Sequence, residues 1–84
     1  MKTRKNDHGT ANIIGKNVRA LRIAKGIKQK DFIARMQTMG VDINPTSYSK
    51  LEGQVRMATD KEIFVIAKIL GVSTDALFDD GQSS

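Results

Sequence analysis

Residues 44–53, NPTSYSKLEG, contain the pattern that decides the fold. Asn44 followed by Pro45 is typical of a helix start, because Asn caps free N–H groups and Pro suits the first helical position. With about 100° of rotation per residue, Tyr48, Leu51 and Glu52 fall on one side of this helix. The opposite side then carries small and polar residues, with one cation and no acid: Thr46, Ser49, Lys50 and Gly53.

Two interpretations of this polar side remain open from the residues alone. Hydroxyl groups and a cation suit the base edges and phosphates of a DNA major groove. An ordinary hydrated surface has a similar composition, because Ser and Thr are mostly exposed in proteins.

Glu52 is a carboxylate on the apolar side of the third helix, and the first helix contains a counterpart. Arg22 follows Leu21 on the stripe that Ile14 and Val18 begin. A buried carboxylate needs a partner, and Arg offers a bidentate one. The pattern predicts an Arg22–Glu52 ion pair that fixes helix 3 against helix 1. The alternative is that both side chains reach water separately.

The rest of the chain also has helical periodicity. A first helix starts near Asn12 and ends before Gly26, and a second covers the segment QKDFIARMQTM, residues 29–39. Thr59 and Glu62 have the spacing of a capping box, ahead of an apolar run that stops at Gly71. Ser73 then caps a short turn. With no strand pattern, these signals predict an all-α fold of five short helices.

Length and charge set the domain organisation. With 84 residues the chain is one domain that buries roughly 60% of its unfolded surface. We expect a flexible basic arm over residues 1–11, the folded domain over residues 12–79 and a disordered tail over residues 80–84. Residues 1–35 contain ten Lys/Arg and two Asp, a net charge of +8, whereas residues 36–84 contain four Lys/Arg and seven acids, a net charge of −3. This asymmetry indicates a surface for a polyanion, although a solvated basic face is the simpler reading.

Other kinds of chemistry have little support in the sequence. The chain has no Cys and a single histidine, His8, so we expect no metal site and no cofactor. Asp79 and Asp80 lie in a polar tail, and Ser47 and Ser49 have no neighbouring base, so we expect no enzymatic activity. No apolar run reaches the ~18 residues of a membrane span, and no apolar stretch of a signal peptide follows the first basic residues. We therefore expect a cytoplasmic protein.

Three segments in this order resemble the phage-repressor-like (Cro/C1-type, Xre family) helix-turn-helix DNA-binding domain. They are VRALRIAKGIKQKDFIARM (18–36), TSYSKLEGQVR (46–56) and TDKEIFVIAKILGVSTDALF (59–78). The resemblance spans residues 13–78 and implies a compact five-helix bundle of the lambda-repressor-like type, in which helices 2 and 3 form the helix-turn-helix. In relatives, the residues that match Arg22 and Glu52 form the predicted pair.

The resemblance also implies which residues contact DNA. The base-reading positions of the family fall on Gln29, Asn44, Pro45, Thr46 and Lys50, and its phosphate contacts fall around Lys28, Ser47 and Arg56. Three departures put the sequence preference in doubt. The turn QTMGVDI (37–43) is long, Lys28 replaces a capping Ser or Thr at a cost of about 1 kcal/mol, and Pro45 offers no side-chain donor.

The implied function is sequence-specific binding of double-stranded DNA, by a prokaryotic or phage protein located at the nucleoid. The protein would be a transcriptional regulator, most simply a repressor, bound to its operator as a homodimer. Apolar side chains at Ile69, Leu77 and Phe78 suit a dimer contact, unless they complete the monomer core. The alternative is the antitoxin of a toxin–antitoxin pair, with a toxin as protein partner. A third reading, a domain whose DNA surface has become a protein contact, is disfavoured by the basic first half and by Gln29, Thr46 and Lys50.

Overall fold

The helices α3, α4 and α5 begin at the capping residues that the sequence predicts, whereas α1 begins at Gly15, three residues after the predicted start. The computed structural model describes residues 11–79. Asn44 Oδ1 accepts the N–H of Ser47 at 2.7 Å, and Thr59 and Glu62 form both hydrogen bonds of the capping box. Gly71 has a φ of 71°, which suits glycine at a helix end. The elements are α1 (Gly15–Ala24), α2 (Gln29–Thr38), α3 (Pro45–Glu52), α4 (Asp60–Leu70) and α5 (Thr74–Leu77), with no strand among the described residues.

One apolar core joins the five helices. The helix α4 packs against α1, α2 and α5, and α3 packs against α1 and α2. The rings of Phe32 and Tyr48 lie 5.5 Å apart between α2 and α3. The all-α prediction is confirmed over residues 11–79. The fully buried side chains are Ile14, Val18, Phe32, Met36, Tyr48, Leu51, Ile66, Leu70 and Leu77.

The segment between α2 and α3 covers residues 39–44. The helix α2 ends at Thr38, one residue before the end that the sequence predicts. Val41 and Ile43 of this connection are buried in the core. The side-chain amide of Gln37 donates to the carbonyl of Ile43 at 2.8 Å. The connection is therefore packed and hydrogen-bonded, and it fixes α3 relative to α2.

Hydrogen bonds hold Ala11 and Asn12 against the end of α3 and the loop that follows it. Ala11, which the sequence places in the arm, donates its N–H to the carbonyl of Gln54 at 2.8 Å. The Asn12 amide donates to the carbonyls of Leu51 at 3.0 Å and Arg56 at 2.8 Å, and its oxygen accepts the N–H of Gly15. The other residues of the predicted arm, and the predicted tail, lie outside the described residues.

A close contact between α1 and the end of α3 requires glycine. A Cβ atom at Gly15 would lie 2.2 Å from the carbonyl oxygen of Leu51, well inside van der Waals contact. The missing side chain therefore allows the start of α1 to approach the end of α3 closely.

The last helix separates the monomer core from the residues that remain for a dimer contact. Leu77 is fully buried and belongs to the monomer core. The Asn17 side chain holds this end of the chain by donating to the carbonyls of Leu77, at 2.8 Å, and Asp79. Ile69 packs partly buried against the core, whereas Phe78 is 44% exposed. Of the three residues, Phe78 alone has a largely exposed side chain.

Candidate nucleic-acid interface

The two sides of α3 differ as the helical pattern predicts. Tyr48 and Leu51 are fully buried, and Glu52 is 5% exposed. The opposite side is open to solvent, with Thr46, Ser49, Lys50 and Gly53 all exposed. The eight-residue helix α3 thus has a buried inner side and an outer side that presents hydrogen-bonding groups to solvent.

The inner side of α3 is held by the carboxylate of Glu52. Arg22 donates to it twice, from Nε to Oε2 at 2.7 Å and from Nη2 to Oε1 at 3.2 Å. Tyr48 donates its hydroxyl to Oε2, and Gln29 donates its side-chain amide to Oε1 at 3.1 Å. The third guanidinium nitrogen of Arg22 donates to the carbonyl of Ile27 at 2.8 Å. The ion pair inferred from the helical wheel is therefore present, within a larger network that connects α1, α2 and α3.

The environment of this network favours a charged Arg22 and a neutral Tyr48. The hydrogen bond to Glu52 raises the pKa of Arg22, against the smaller opposing effect of burial. Burial, followed by the nearby Glu52 carboxylate, raises the pKa of Tyr48 far above its ordinary value. The Tyr48 hydroxyl therefore stays protonated and continues to donate to Glu52 throughout the physiological pH range.

Gln29 lies between this network and the outer side of α3. Its amide nitrogen donates to Glu52, and its oxygen accepts the hydroxyl of Ser49 at 3.4 Å. A side-chain amide has two N–H groups and two oxygen lone pairs. Gln29 thus has one further donor and one further acceptor for a ligand, at a position fixed by Glu52.

The start of α3 brings the other predicted base-reading positions together. Asn44, Pro45 and Thr46 are exposed in one turn, and Lys50 follows one turn later. The Asn44 oxygen is used to cap Ser47, so its amide nitrogen is the group that remains. Within residues 11–79, the side chains of Thr46 and Lys50 make no hydrogen bond. Both residues are exposed to solvent.

The three predicted phosphate contacts have different surroundings. Lys28 is exposed, and its side chain makes no capping hydrogen bond at the start of α2. Ser47, in the first turn of α3, is half-buried. Arg56 is half-buried and already bound, since its Nε donates to the carbonyl of Ser47 at 3.0 Å. Their contacts with phosphate stay a prediction.

Arg56 and Glu62 form an ion pair that the sequence analysis missed. Arg56 Nη2 lies 2.8 Å from Glu62 Oε2, and its Nη1 donates to Glu62 Oε1 at 3.1 Å. Burial opposes the ionised form of Glu62, but hydrogen bonds from Arg56 and from the Thr59 N–H outweigh it and lower the pKa of Glu62. The signal that was available is Glu62 itself, an acid directly before an apolar run and six residues after an arginine.

Among residues 11–79, two arginines are paired with acids, whereas the lysines of the predicted interface are not. The ion pairs between described residues are Arg22–Glu52 and Arg56–Glu62. Lys28 and Lys50 form no ion pair with an acid in the part of the chain that the structure describes.

Within residues 11–79, no group of His, Asp or Glu side chains is arranged to hold a metal ion. None of the helices within that range is long and apolar enough to cross a membrane.

No protein-family model, no curated protein and no solved structure matches this chain. The function is therefore inferred from the residues and geometry of the chain itself.

Proposed function

We propose that the chain binds double-stranded DNA sequence-specifically and regulates transcription, as a repressor. The outer side of α3 enters the major groove, and α2 with α3 acts as a helix-turn-helix of the lambda-repressor-like type. One observation carries this proposal: α3 presents exposed polar side chains, while Glu52 and its partners fix its inner side. A rigid helix with an acid-free outer side suits the donor and acceptor pattern of base edges.

The side chains on this surface have defined uses in base recognition. Lys50 donates to the O6 and N7 atoms of guanine, and Thr46 exchanges a hydrogen bond with a base or contacts a thymine methyl group. The remaining donor and acceptor of Gln29 match the N7 and N6 groups of adenine. Asn44 contributes its amide nitrogen, and Pro45 contributes an apolar contact at the start of the helix.

Phosphate contacts hold the helix in register along the groove. Lys28 and Ser47 contact phosphates of the DNA. Arg56 fixes the loop after α3 through its contacts with Ser47 and Glu62, and it also contacts a DNA phosphate. The net charge of +8 over residues 1–35 increases the attraction to the duplex. These contacts position the protein but do not distinguish sequences.

A single short helix reads few base pairs, so two copies occupy one operator. A footprint of that size competes poorly against the many other sites of a genome. Two-fold dimers of helix-turn-helix proteins bind half-sites about one helical turn apart. We therefore expect two chains per duplex on a site with dyad symmetry.

Selection from a pool of random duplexes tests the proposal and provides the operator. Affinity for the selected duplex should fall with salt, with a slope of log K against log salt of about −0.9 per phosphate neutralised. An affinity that does not change between low and moderate salt would contradict this mode of binding.

A matched pair of lysine variants then tests the role of α3. Lys50→Ala should lose discrimination at particular base pairs by about 1–3 kcal/mol. Lys68→Ala removes the same charge from the far end of α4, where Lys68 lies over the ring of Phe64, and should leave base preference unchanged. If both variants keep the base preference of the parent, α3 is not the reading helix.

A further inference from the structure

Hydrogen bonds connect the buried carboxylate of Glu52 with the exposed side of α3 through Gln29. The carboxylate accepts the amide N–H of Gln29 at 3.1 Å, and Gln29 Oε1 accepts the Ser49 hydroxyl at 3.4 Å. Glu52 is 5% exposed, whereas Ser49 is open to solvent. We call these three side chains the Glu52–Gln29–Ser49 row.

The carboxylate fixes the direction of each hydrogen bond in this row. Glu52 is paired with Arg22, and a carboxylate has only acceptor oxygens. Gln29 therefore turns its NH2 group towards Glu52, because its own oxygen would otherwise face a carboxylate oxygen. Gln29 Oε1 then points away from the core, where it meets the Ser49 hydroxyl. Since Oε1 can only accept, Ser49 donates its single proton inward.

This direction decides which groups Ser49 offers to a ligand. A hydroxyl group has one proton and two lone pairs. With its proton directed to Gln29, Ser49 presents lone pairs alone. In the major groove, the amino groups of adenine and cytosine are donors, whereas guanine O6 and thymine O4 are acceptors. Ser49 therefore suits a base that carries an amino group and has no proton for a base oxygen.

We propose that Ser49 reads the exocyclic amino group of adenine or cytosine, and that Glu52 sets this preference through Gln29. The inference rests on the proposed function, because it concerns a base in the groove that α3 occupies. Ser49 is exposed between Thr46 and Lys50 on the outer side of α3. Its 3.4 Å bond to Gln29 is long for two oxygens, which leaves the hydroxyl group free to shift towards a base. Glu52 itself touches no base and is a positioning residue.

Glu52→Gln should reverse the row. Oε2 of Glu52 accepts from Arg22 Nε at 2.7 Å and from the Tyr48 hydroxyl. The oxygen of the new amide therefore stays at this position, and its NH2 group replaces Oε1 at the expense of the longer contact with Arg22 Nη2. Gln29 then turns its oxygen inward and its NH2 group outward. Ser49 accepts from that NH2 group, directs its own proton to the groove and selects guanine or thymine.

Base analogues in the selected duplex test the role of Ser49. The base pair at which Ser49→Ala loses discrimination is identified first. An analogue without the exocyclic amino group then replaces the adenine or cytosine of that pair. Parent affinity should fall by roughly three- to tenfold, the factor of one neutral hydrogen bond. Ser49→Ala should bind both duplexes alike, whereas Ser49→Thr keeps the hydroxyl group and should behave like the parent.

A pair of core variants tests the role of Glu52. Tyr48→Phe is the matched control for Glu52→Gln, since it removes a donor to Oε2 and leaves the bond between Gln29 and Oε1 in place. Both variants should melt below the parent. Only Glu52→Gln should change the preferred base at the Ser49 pair, with a change of about tenfold or more in the ratio of affinities. If it does not fold, Gln29→Ala frees the Ser49 proton and should abolish the preference for the amino group.

The outcomes separate this inference from DNA binding as such. Loss of the amino dependence in Ser49→Ala, together with a changed base in Glu52→Gln, supports it. A folded Glu52→Gln variant with the base preference of the parent overturns it, because a purely structural role would lower the melting temperature alone. Ser49→Ala that loses discrimination at no base pair, or a guanine or thymine selected at the Ser49 pair, also overturns it. These results are obtained on a duplex that the parent binds, so they leave the proposed function intact. If no duplex binds the parent, both fail.

Discussion

Removal of the Glu52 carboxylate should destabilise the fold more than any exposed substitution. Glu52→Ala leaves the guanidinium of Arg22, which is 8% exposed, without its anionic partner. The same change removes the acceptor of the buried Tyr48 hydroxyl and of the Gln29 amide. Four hydrogen bonds are lost at one site, and two of them hold a buried cation.

The magnitude follows from the burial of both partners. Breaking a buried ion pair by removing one partner costs about 3–5 kcal/mol. Arg22 retains its hydrogen bond to the carbonyl of Ile27, which offsets a part of this cost. We therefore expect a loss near the lower end of the range, about 3 kcal/mol. For a domain of this size, such a loss lowers the melting temperature by roughly 12–24 °C.

A double-mutant cycle measures the pairing itself. Thermal and urea unfolding, followed by circular dichroism, give the free energies of unfolding of the parent, Arg22→Ala, Glu52→Ala and the double variant. Because the double variant leaves neither charge without its partner, it should be more stable than the sum of the two losses implies. We expect a difference of about 1–3 kcal/mol. Additivity within about 0.5 kcal/mol would refute the pairing. Should either single variant fail to fold, Glu52→Gln keeps the shape of the side chain, removes its charge and replaces one acceptor oxygen by an N–H donor.

Three further predictions concern two left-handed backbone positions and the Arg56–Glu62 ion pair. Gln54 has a φ of 63°, a left-handed conformation that favours glycine. Gln54→Gly should therefore stabilise the fold by up to about 1 kcal/mol. Loss of the hydrogen bond from the Gln54 side chain to the Asn12 carbonyl reduces this gain. Gly71→Ala, the opposite change at a glycine with a φ of 71°, should lower the melting temperature. A Gln54→Gly variant that melts below the parent would contradict the reasoning. Because the pKa of Glu62 is lowered in the fold, its stabilisation is present above the ordinary pKa of 4.5 and is lost as pH falls through the folded value. The difference in melting temperature between the parent and Glu62→Gln should therefore be present at pH 7 and shrink below pH 4.5; a difference that does not change with pH would exclude the ion pair as its source.

The helix boundaries were predictable because local chemistry sets them. The Asn44 cap, the Thr59–Glu62 capping box and the left-handed Gly71 depend on residues a few positions apart. The inner side of α3 was also predictable, since a helix turns through a fixed angle per residue and Glu52 falls beside Tyr48 and Leu51. For Arg22, an arginine on an apolar stripe was the signal that a buried carboxylate had a partner.

Contacts between helices that differ in direction were not predictable in the same way. Gln29 reaches Glu52 across 23 positions, and the angle between α2 and α3 that allows it is set by the buried Val41 and Ile43. The alternation of those two apolar residues marks a packed connection, but it does not give the angle. Arg56 was assigned to phosphate because of its charge, and its pairing with Glu62 depends on the path of the loop between α3 and α4.

Asn12 lies outside every helix, yet its side chain binds the start of α1 and the end of α3. Its amide reaches the carbonyls of Leu51 and Arg56 from 39 and 44 positions earlier in the chain. A fragment that starts at Gly15 would still contain all five helices. It would nevertheless lack the donor at the end of α3 and the acceptor at the start of α1, so a truncation chosen from helix boundaries would fray both.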